Sequence, residues 1–257
     1  MSLQVVLLGH RIAYSASPAM QNAAFRALDL DGSYALRDVA PDALAQAVTE
    51  LRSPGLHGAN VTIPHKVAVV ALLDALDPAA ERLGAVNTIV REGERLVGHN
   101  TDLPALAAEL DELLGPSPGR AVVLGTGGAA RAAEAALADA QGASVFLAGR
   151  DHWPELPKLL AGADLLINAT PIGTASDETP VPAGQLRPDL AVLDLVYRPS
   201  PTRLVRDARA AGARARDGAG VLLRQAVASF ELWTGRGAPV DVMRAALELE
   251  LRGAVHA

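Results

Sequence analysis

Lysine and asparagine are scarce in this sequence, and they cluster where chemistry could take place. The chain has 257 residues, of which 21 are arginine and only two, Lys66 and Lys158, are lysine. Where arginine supplies most of the cations, a lysine indicates a need for that particular side chain. Asparagine occurs only at positions 22, 60, 87, 100 and 168. These rare residues are the first candidates for a functional role.

The segment 60–66, NVTIPHK, holds one of the two lysines. Alternation along a strand puts Asn60 and Thr62 on one face, and Lys66 is predicted in the first turn of a following helix. A second polar cluster ends at Asp102 and could bring a carboxylate to the same place. A buried lysine near a carboxylate is a recurrent proton-transfer pair. A surface salt bridge explains the spacing equally well.

A glycine-rich turn at 125–130, GTGGAA, joins an apolar strand to a long helical stretch. Gly125, Gly127 and Ala130 match the GxGxxA form, whose glycines allow a tight turn and close backbone approach to a pyrophosphate. The helix N-terminus adds free N–H groups and a positive dipole end. An ordinary strand–helix turn can also be rich in glycine, but this context favours a dinucleotide site.

The next predicted strand ends at 149–151, GRD, where the adenosine ribose of a dinucleotide would lie. Arg150 favours NADP because a guanidinium accommodates a 2′-phosphate. Asp151 favours NAD if it points inward, and otherwise it is the N-cap of the following turn. The sequence predicts NADP, with NAD less favoured.

Composition excludes several classes of protein. Half of the residues are hydrophobic, the net charge is −6 and the pI is about 5.5, which predicts a large core and argues against a nucleic-acid binder. The absence of cysteine excludes disulfides and thiolate chemistry, and the histidines show no HExxH spacing, so no metal is predicted. No apolar run suits a membrane span and the N-terminus is unlike a secretory signal, so we expect a cytoplasmic protein. Its expected state is a monomer or a homodimer.

Short apolar runs alternate with alanine-rich helical stretches, which predicts an α/β fold with parallel strands and crossover helices. Strands are predicted at 5–8, 59–63, 86–91, 95–98, immediately before 125, and at 144–148, 164–168 and 191–196. Helices are predicted at 18–28 with Ser17 as N-cap, and at 65–76, 103–114, 219–233 and 240–251. The segment 115–119, GPSPG, predicts a domain boundary. Between Arg150 and Asp164 there is room for one short helix.

Several blocks, taken in order, resemble the shikimate dehydrogenase family. The set NVTIPHK, GAVNT and NTD is far more specific than a generic dinucleotide motif. The matching blocks are SASP at 15–18, NVTIPHK at 60–66, GAVNT at 84–88, NTD at 100–102, GTGGAAR at 125–131, NATP at 168–171, DLVY at 194–197 and the closing segment 217–235.

The resemblance implies two domains and one reaction. An N-terminal α/β substrate domain over 1–102 would be completed by a C-terminal helix at 236–257. A Rossmann-like, parallel-sheet domain over 103–235, shortened between 150 and 164, would bind NADP. The reaction would be the reversible NADPH-dependent reduction of 3-dehydroshikimate to shikimate, in aromatic amino acid (chorismate) biosynthesis.

The resemblance also implies roles for individual residues, with Lys66 and Asp102 as the catalytic pair. An ammonium can stabilise charge on the carbonyl oxygen and deliver a proton, which an arginine could hardly do. Implied substrate contacts are Ser15, Ser17, Thr62, Asn87, Asp102, Tyr197 and Gln225. Implied cofactor contacts are Gly125, Thr126, Gly127, Gly128, Ala129, Arg150, Thr170, Leu195 and Gly218.

The sequence departs from the family pattern at Leu103, Arg11, Val221 and Asp151, and in the short segment 150–164. Two alternatives therefore stay open. Asp151 favours a quinate/shikimate dehydrogenase that uses NAD. The shortened segment favours a paralogue that binds ligands without catalysis.

Overall fold

The computed structural model describes residues 2–114, 119–139 and 143–253. The chain divides into two compact units. Unit 1 runs to Thr101 and includes Leu223–Glu250, and unit 2 comprises Asp102–Leu222 and the residues from Leu251 onward. Most of the predicted boundary at 115–119 lies outside the described residues.

Unit 1 contains a mixed sheet and flanking helices. Its strands are β1 Leu3–Gly9, β2 Gly32–Asp38, β3 Leu56–Val61, β4 Ala75–Leu76, β5 Thr88–Glu92 and β6 Arg95–His99. Its helices include α1 Ser17–Ala27, α2 Leu44–Glu50 and α3 Pro78–Leu83. The order across the described part of this sheet is β2-β1-β3-β5-β6-β4.

The strand directions in unit 1 bring the ends of several strands to one edge of the sheet. β5 is antiparallel to β3 and to β6, whereas β1, β2 and β3 are parallel to one another and β4 is parallel to β6. The amino end of β5 therefore lies at the same edge as the carboxyl ends of β1, β3 and β6.

Unit 2 contains a fully parallel sheet. Its strands are β7 Arg120–Leu124, β8 Ser144–Ala148, β9 Leu165–Asn168, β10 Ala191–Asp194 and β11 Ala215–Arg216. The helices are α4 Asp102–Leu114, α5 Gly128–Asp139, α6 Leu156–Ala161 and α7 Arg203–Ala210, followed by α8 Ala219–Thr234 and α9 Val240–Gly253, which unit 1 shares.

The order β11-β10-β9-β7-β8 places later strands on both sides of β7. The chain therefore reverses its direction of winding at β7, which makes the carboxyl end of that strand a topological switch point. Open α/β sheets bind ligands at such points. The predicted α/β class, with a parallel sheet in the second half of the chain, is confirmed.

Aliphatic side chains form the core of each unit, as the scarcity of aromatics requires. In unit 1, Leu8, Val61 and Ile89 belong to one buried cluster. In unit 2, Leu124 and Leu166 belong to another. Burying such side chains contributes about 1.5–3 kcal/mol each.

The helix predicted at 65–76 is wrong. Residues 66–67 form a turn, Ala68–Leu72 is a 3-10 helix, and β4 follows. The backbone C=O of Lys66 accepts a hydrogen bond from Val86 N–H at 2.8 Å instead of a helical partner. Three valines in this short stretch also lower its helix propensity.

The prediction of Ser17 as an N-cap is also wrong. The helix α1 begins at Ser17, its N-cap is Ala16, and no side chain caps it. Pro18 in the first turn agrees with the preference of proline for that position.

The division of the chain falls inside α8, whereas the sequence places the return to the first domain at 236. Two hydrogen bonds within unit 1 explain this earlier return. Gln21 Nε2 donates to Ala226 C=O at 2.9 Å, and Trp233 Nε1 donates to Ile89 C=O at 3.0 Å. Both tie α8 to unit 1 before residue 236.

No helix in the described ranges is long and apolar enough to cross a membrane. The 150–164 segment forms a 3-10 helix at Arg150–Glu155 and the short helix α6. The sequence predicts one short helix there, whereas the structure has two short helical elements in succession.

Candidate functional site

Ser15 and Ser17 lie where the chain passes from β1 into α1. Ser15 Oγ donates to Ser17 Oγ at 3.3 Å, and Ser17 N–H donates to Ser15 Oγ at 3.3 Å. Ser17 is buried. Two adjoining neutral hydroxyls can donate to a carboxylate without adding a charge to the site.

Thr62 and Lys66 lie in the turn after β3. The methyl group of Thr62 packs on Gly9, where a Cβ would lie 2.5 Å from Thr62 Cγ2, so only glycine permits this approach. Lys66 is half-buried. Because its carbonyl binds Val86 N–H, the backbone of this lysine lies beside the residue that precedes Asn87.

Asn87 is 2% exposed and its amide is held on both sides. Asn87 Oδ1 accepts from Thr101 N–H at 2.8 Å, and Nδ2 donates to Thr101 Oγ1 at 2.8 Å. Asn87 Nδ2 also donates to Gln225 Oε1 at 3.5 Å. The structure therefore brings together Asn87 and Gln225, which are 138 residues apart in the chain.

A buried hydrogen-bond network lies next to the Asn87 and Gln225 side chains. Asn60 Nδ2 donates to Thr88 Oγ1 at 3.0 Å and to Ser229 Oγ at 3.1 Å. Tyr34 Oη donates to Asn60 Oδ1 at 2.8 Å. Asn60 is thus a buried structural residue, and the sequence reasoning missed Tyr34, Thr88 and Ser229. Only the rarity of asparagine pointed to this network.

The glycine-rich turn follows β7 at the switch point of unit 2. Gly125 has a φ of +112°, and a Cβ there would lie 3.1 Å from Ala169 C=O. At Gly127 and Gly128 a Cβ would meet nothing within 4 Å, so open space lies above the start of α5. An exposed backbone at the N-terminus of a 12-residue helix fits a pyrophosphate.

The other predicted cofactor residues follow the remaining strands of the same sheet. Arg150 comes after β8, Thr170 after β9, Leu195 after β10 and Gly218 after β11. Because the strands are parallel, all of these residues lie at one edge with the glycine turn. That edge is where dinucleotides bind in this architecture.

Gly218 permits a close backbone contact. A Cβ at this position would lie 2.2 Å from Leu195 C=O, and Gly218 N–H donates to Val196 C=O at 3.0 Å. The loop after β10 is therefore packed directly on the backbone of residue 218.

Asp194 is a buried acid at the carboxyl end of β10. Burial raises the pKa of Asp194 to about 6, and the nearby charge of Asp217 acts in the same direction. Hydrogen bonds from the Thr202 hydroxyl, Val196 N–H and Asn168 Nδ2 oppose the rise. The sequence reasoning assigned Asn168 and Asp194 no role in the site.

Asp151 lies at the start of the 3-10 helix after β8. Its Oδ1 lies 2.6 Å from the point where a Cβ of Gly149 would be, and Thr126 Cγ2 lies 3.6 Å from the same point. Asp151 makes no N-capping hydrogen bond. Its carboxylate thus lies close to Gly149, and Oδ1 is also 3.1 Å from His152 Nδ1.

Two predicted substrate residues belong to unit 2. Asp102 is the first residue of α4, and Tyr197 is half-buried three residues after β10. Across the described ranges, no group of three or more histidine, aspartate or glutamate side chains has the geometry to hold a metal ion.

Comparison with known proteins agrees with this arrangement. Residues 7–89 match the family model of the shikimate dehydrogenase substrate binding domain, and residues 218–248 match that of the shikimate 5′-dehydrogenase C-terminal domain. A relative from Haloarcula marismortui, named shikimate dehydrogenase (NADP(+)), is 46% identical over 95% of this chain and 98% of its own length. The chain belongs to the shikimate dehydrogenase family.

Solved structures extend the likeness to three dimensions. A shikimate 5-dehydrogenase from Thermus thermophilus, in complex with NADP(H) and shikimate, has a TM-score of 0.86 and 37% identity over 97% of this chain and all of that one. A quinate dehydrogenase from Corynebacterium glutamicum, in complex with NAD, has a TM-score of 0.86 and 29% identity over 96% of this chain and 99% of that one. Shikimate dehydrogenases and a quinate dehydrogenase thus share this fold.

Family membership explains why Lys66 and four of the five asparagines occur in blocks. Arg11 stands where the resemblance to the family implies a proline, and the structure gives a local reason. Arg11 has a φ of +57°, which proline cannot adopt, and its N–H donates to the Asp38 carboxylate at 3.2 Å.

Proposed function

We propose that this chain catalyses the reversible NADPH-dependent reduction of 3-dehydroshikimate to shikimate. The observation that carries the proposal is its full-length similarity to relatives named shikimate dehydrogenase (NADP(+)). The two sheets support the proposal. One edge of the unit 1 sheet carries hydroxyl and amide side chains, and the carboxyl edge of the unit 2 sheet carries the glycine turn.

Neutral polar groups of unit 1 would hold the substrate. Ser15 and Ser17 would donate to its carboxylate. Thr62, Asn87 and Gln225 would bind its hydroxyl groups, and the hydrogen bonds of the Asn87 amide to Thr101 and Thr88 fix its orientation. Asp102 and Tyr197 complete the proposed set of substrate contacts.

Lys66 and Asp102 would be the catalytic pair. As the carbonyl is reduced, negative charge develops on its oxygen, and the Lys66 ammonium would stabilise that charge and donate a proton to the oxygen. Asp102 would orient the ammonium and accept a hydrogen bond from a neighbouring substrate hydroxyl. In the reverse direction the neutral lysine would take the proton back.

The carboxyl edge of unit 2 would hold NADP, which supplies or accepts the hydride when bound. Gly125, Thr126, Gly127, Gly128 and Ala129 would surround the pyrophosphate. Arg150 would bind the 2′-phosphate. Thr170, Leu195 and Gly218 would contact the remainder of the dinucleotide.

A second candidate is an NAD-dependent quinate/shikimate dehydrogenase. The position of the Asp151 carboxylate favours it, because an acid beside the adenosine ribose binds a 2′-hydroxyl and repels a 2′-phosphate. The paired serines favour shikimate as the substrate of this chain. A cytoplasmic location and a monomeric or homodimeric state stay predictions.

The experiment that tests the proposal follows product formation. Purified protein is given 3-dehydroshikimate or 3-dehydroquinate with NADPH or NADH, and the product is identified by mass spectrometry. We expect shikimate from the NADPH and 3-dehydroshikimate pair. Quinate formed with NADH would favour the second candidate. Ligand binding without any product would indicate a non-catalytic paralogue.

A further inference from the structure

Two buried side chains lie next to each other at the carboxyl edge of unit 2. Asn168 is the last residue of β9 and Asp194 is the last residue of β10, and the two are direct partners in the sheet. They are 0% and 1% exposed, and Asn168 Nδ2 donates to Asp194 Oδ1 at 2.8 Å. Neither side chain is accessible enough to contact a ligand.

The amide of Asn168 organises the loop after β9. Its Oδ1 accepts from Thr170 N–H at 3.0 Å and from Thr170 Oγ1 at 2.6 Å. Its Nδ2 donates to Ile172 C=O at 3.2 Å as well as to Asp194. Two donors face the oxygen and two acceptors face the nitrogen, so only one orientation of the amide satisfies the site.

The carboxylate of Asp194 does the same for the loop after β10. It accepts from Val196 N–H at 3.1 Å and from the hydroxyl of Thr202, so it holds both ends of the segment 195–202. Gly218 packs against Leu195 C=O from the other side. The two loops are thus fixed to one buried amide–carboxylate pair.

The sheet order indicates what these loops would face. The adenosine ribose of a dinucleotide lies by the strand that follows the glycine turn, which here is β8. Because β8 lies on one side of β7 while β9 and β10 lie on the other, the rest of the dinucleotide extends toward the loops after β9 and β10. That part carries the nicotinamide.

We propose that Asn168 and Asp194 are positioning residues that hold Thr170 and Leu195 against the nicotinamide half of the dinucleotide, an assignment that rests on the proposed function. Thr170 is held directly, because both its N–H and its hydroxyl bind Asn168. Leu195 is held through its neighbours. It lies between Asp194 and Val196 in the chain, and the Val196 N–H donates to the Asp194 carboxylate.

The test compares two ligands that differ in the nicotinamide half. NADP contains both halves of the dinucleotide, whereas adenosine 2′,5′-bisphosphate contains only the adenosine half and its phosphates. In Asn168→Ala we expect the Kd of NADP, measured by calorimetry, to rise about tenfold, the factor of a hydrogen bond worth about 1.4 kcal/mol. The Kd of the bisphosphate should stay within about a factor of two.

Arg187→Met is the matched control, because Arg187 binds the chain just before the amino end of β9. Its side chain donates to Leu160 C=O at 2.9 Å and to Ala163 C=O. We expect this variant to lower the Tm and to leave both dissociation constants unchanged. If Asn168→Ala does not fold, Asn168→Ser keeps a polar group without adding a second acid beside Asp194, but its single hydroxyl cannot replace both halves of the amide, and it should give the same selective loss of NADP affinity.

Equal weakening of both ligands, or no change in either, would overturn the positioning role. The wild type separates this failure from that of the proposed function. A wild type that binds NADP and reduces 3-dehydroshikimate, with variants that bind NADP equally well, would refute the positioning role alone. A wild type without affinity for NADP would refute the proposed function.

Discussion

At the scale of single residues, Lys66 is the position where the chemistry demands one particular side chain. The other lysine, Lys158, is exposed on α6 and serves as an internal reference. Arginine keeps the positive charge but does not release a proton at neutral pH. Replacing a lysine with arginine therefore shows whether the position needs only a positive charge or also needs proton transfer.

We expect Lys66→Arg to lower kcat by about 10²–10⁴-fold, which is the usual contribution of general acid–base catalysis. The KM for shikimate should change much less, because the charge is retained. Steady-state kinetics of shikimate oxidation with NADP measure both values. Lys158→Arg should match the wild type. A Lys66→Arg enzyme with near-normal kcat would contradict proton donation by this lysine.

Asp151 provides a second test at this scale, on cofactor choice. Its carboxylate lies close to Gly149. A carboxylate that faces the adenosine ribose would repel a 2′-phosphate. We expect Asp151→Ser to raise the ratio of kcat/KM for NADP to that for NAD about tenfold, equivalent to about 1.4 kcal/mol. Initial rates with each dinucleotide give this ratio.

Asp189→Ser is the matched control for cofactor choice. Asp189 is 76% exposed against 78% for Asp151, and it forms an ion pair with Arg187 in the same unit. The control should leave the cofactor ratio unchanged. An unchanged ratio in Asp151→Ser as well would mean that this carboxylate faces away from the ribose.

At the scale of elements, the sequence predicted those whose signal is local. The helix α4 begins within one residue of its predicted start, and α8 lies within one residue of its predicted bounds at each end. The helix predicted at 65–76 was wrong because the hydrogen bond of Lys66 to Val86 is a tertiary contact, which a local pattern does not show. The sequence also fails to predict the helices α2, α3 and α7 and the strands β2, β4 and β11.

In the candidate site too, the sequence predicted the residues that have a local signal. The rarity of lysine and the family motifs indicated Lys66 and the glycine turn. The pairing of Asn168 with Asp194 depends on the register of two strands that are 26 residues apart, and no local pattern encodes it. The network around Ser229 likewise joins a C-terminal helix to β3 and β5.

Gly218 gives a prediction for the loop after β10. A Cβ there would lie 2.2 Å from Leu195 C=O, which is backbone and cannot rotate away. We expect Gly218→Ala to lower the free energy of unfolding by about 1–3 kcal/mol and to raise the KM for NADP. Denaturant unfolding and initial rates measure the two effects.

Gly184→Ala is the control for this substitution, because a Cβ at Gly184 meets nothing within 4 Å. It should leave stability and the KM for NADP nearly unchanged. If Gly218→Ala behaved like Gly184→Ala, the close approach of residues 195 and 218 would be wrong.

At the scale of the whole molecule, each unit has its own sheet and core, and each gathers the predicted residues at one edge. The buried Asp194 links this architecture to pH. Its pKa is raised to about 6, above the ordinary value of 3.8, so the folded state binds the proton more tightly than the unfolded state. Its favourable contribution is complete below about pH 4 and is lost as the pH rises through about 6.

We therefore expect the wild type to lose stability relative to Asp194→Asn as the pH rises from about 4 to about 7, by up to about 3 kcal/mol. The asparagine keeps an oxygen that can accept from Asn168 and Val196, but it does not titrate. Denaturant unfolding of both proteins across this range gives the difference. Parallel stability curves would show that Asp194 does not titrate in this window.

One measurement tests the central claim most directly. Shikimate is added to the purified protein with NADP or with NAD at equal concentration, and the absorbance of the reduced nicotinamide is followed. We predict a rate with NADP that saturates with shikimate and exceeds the rate with NAD. The absence of any signal with NADP, in a protein that still binds shikimate, would contradict the account.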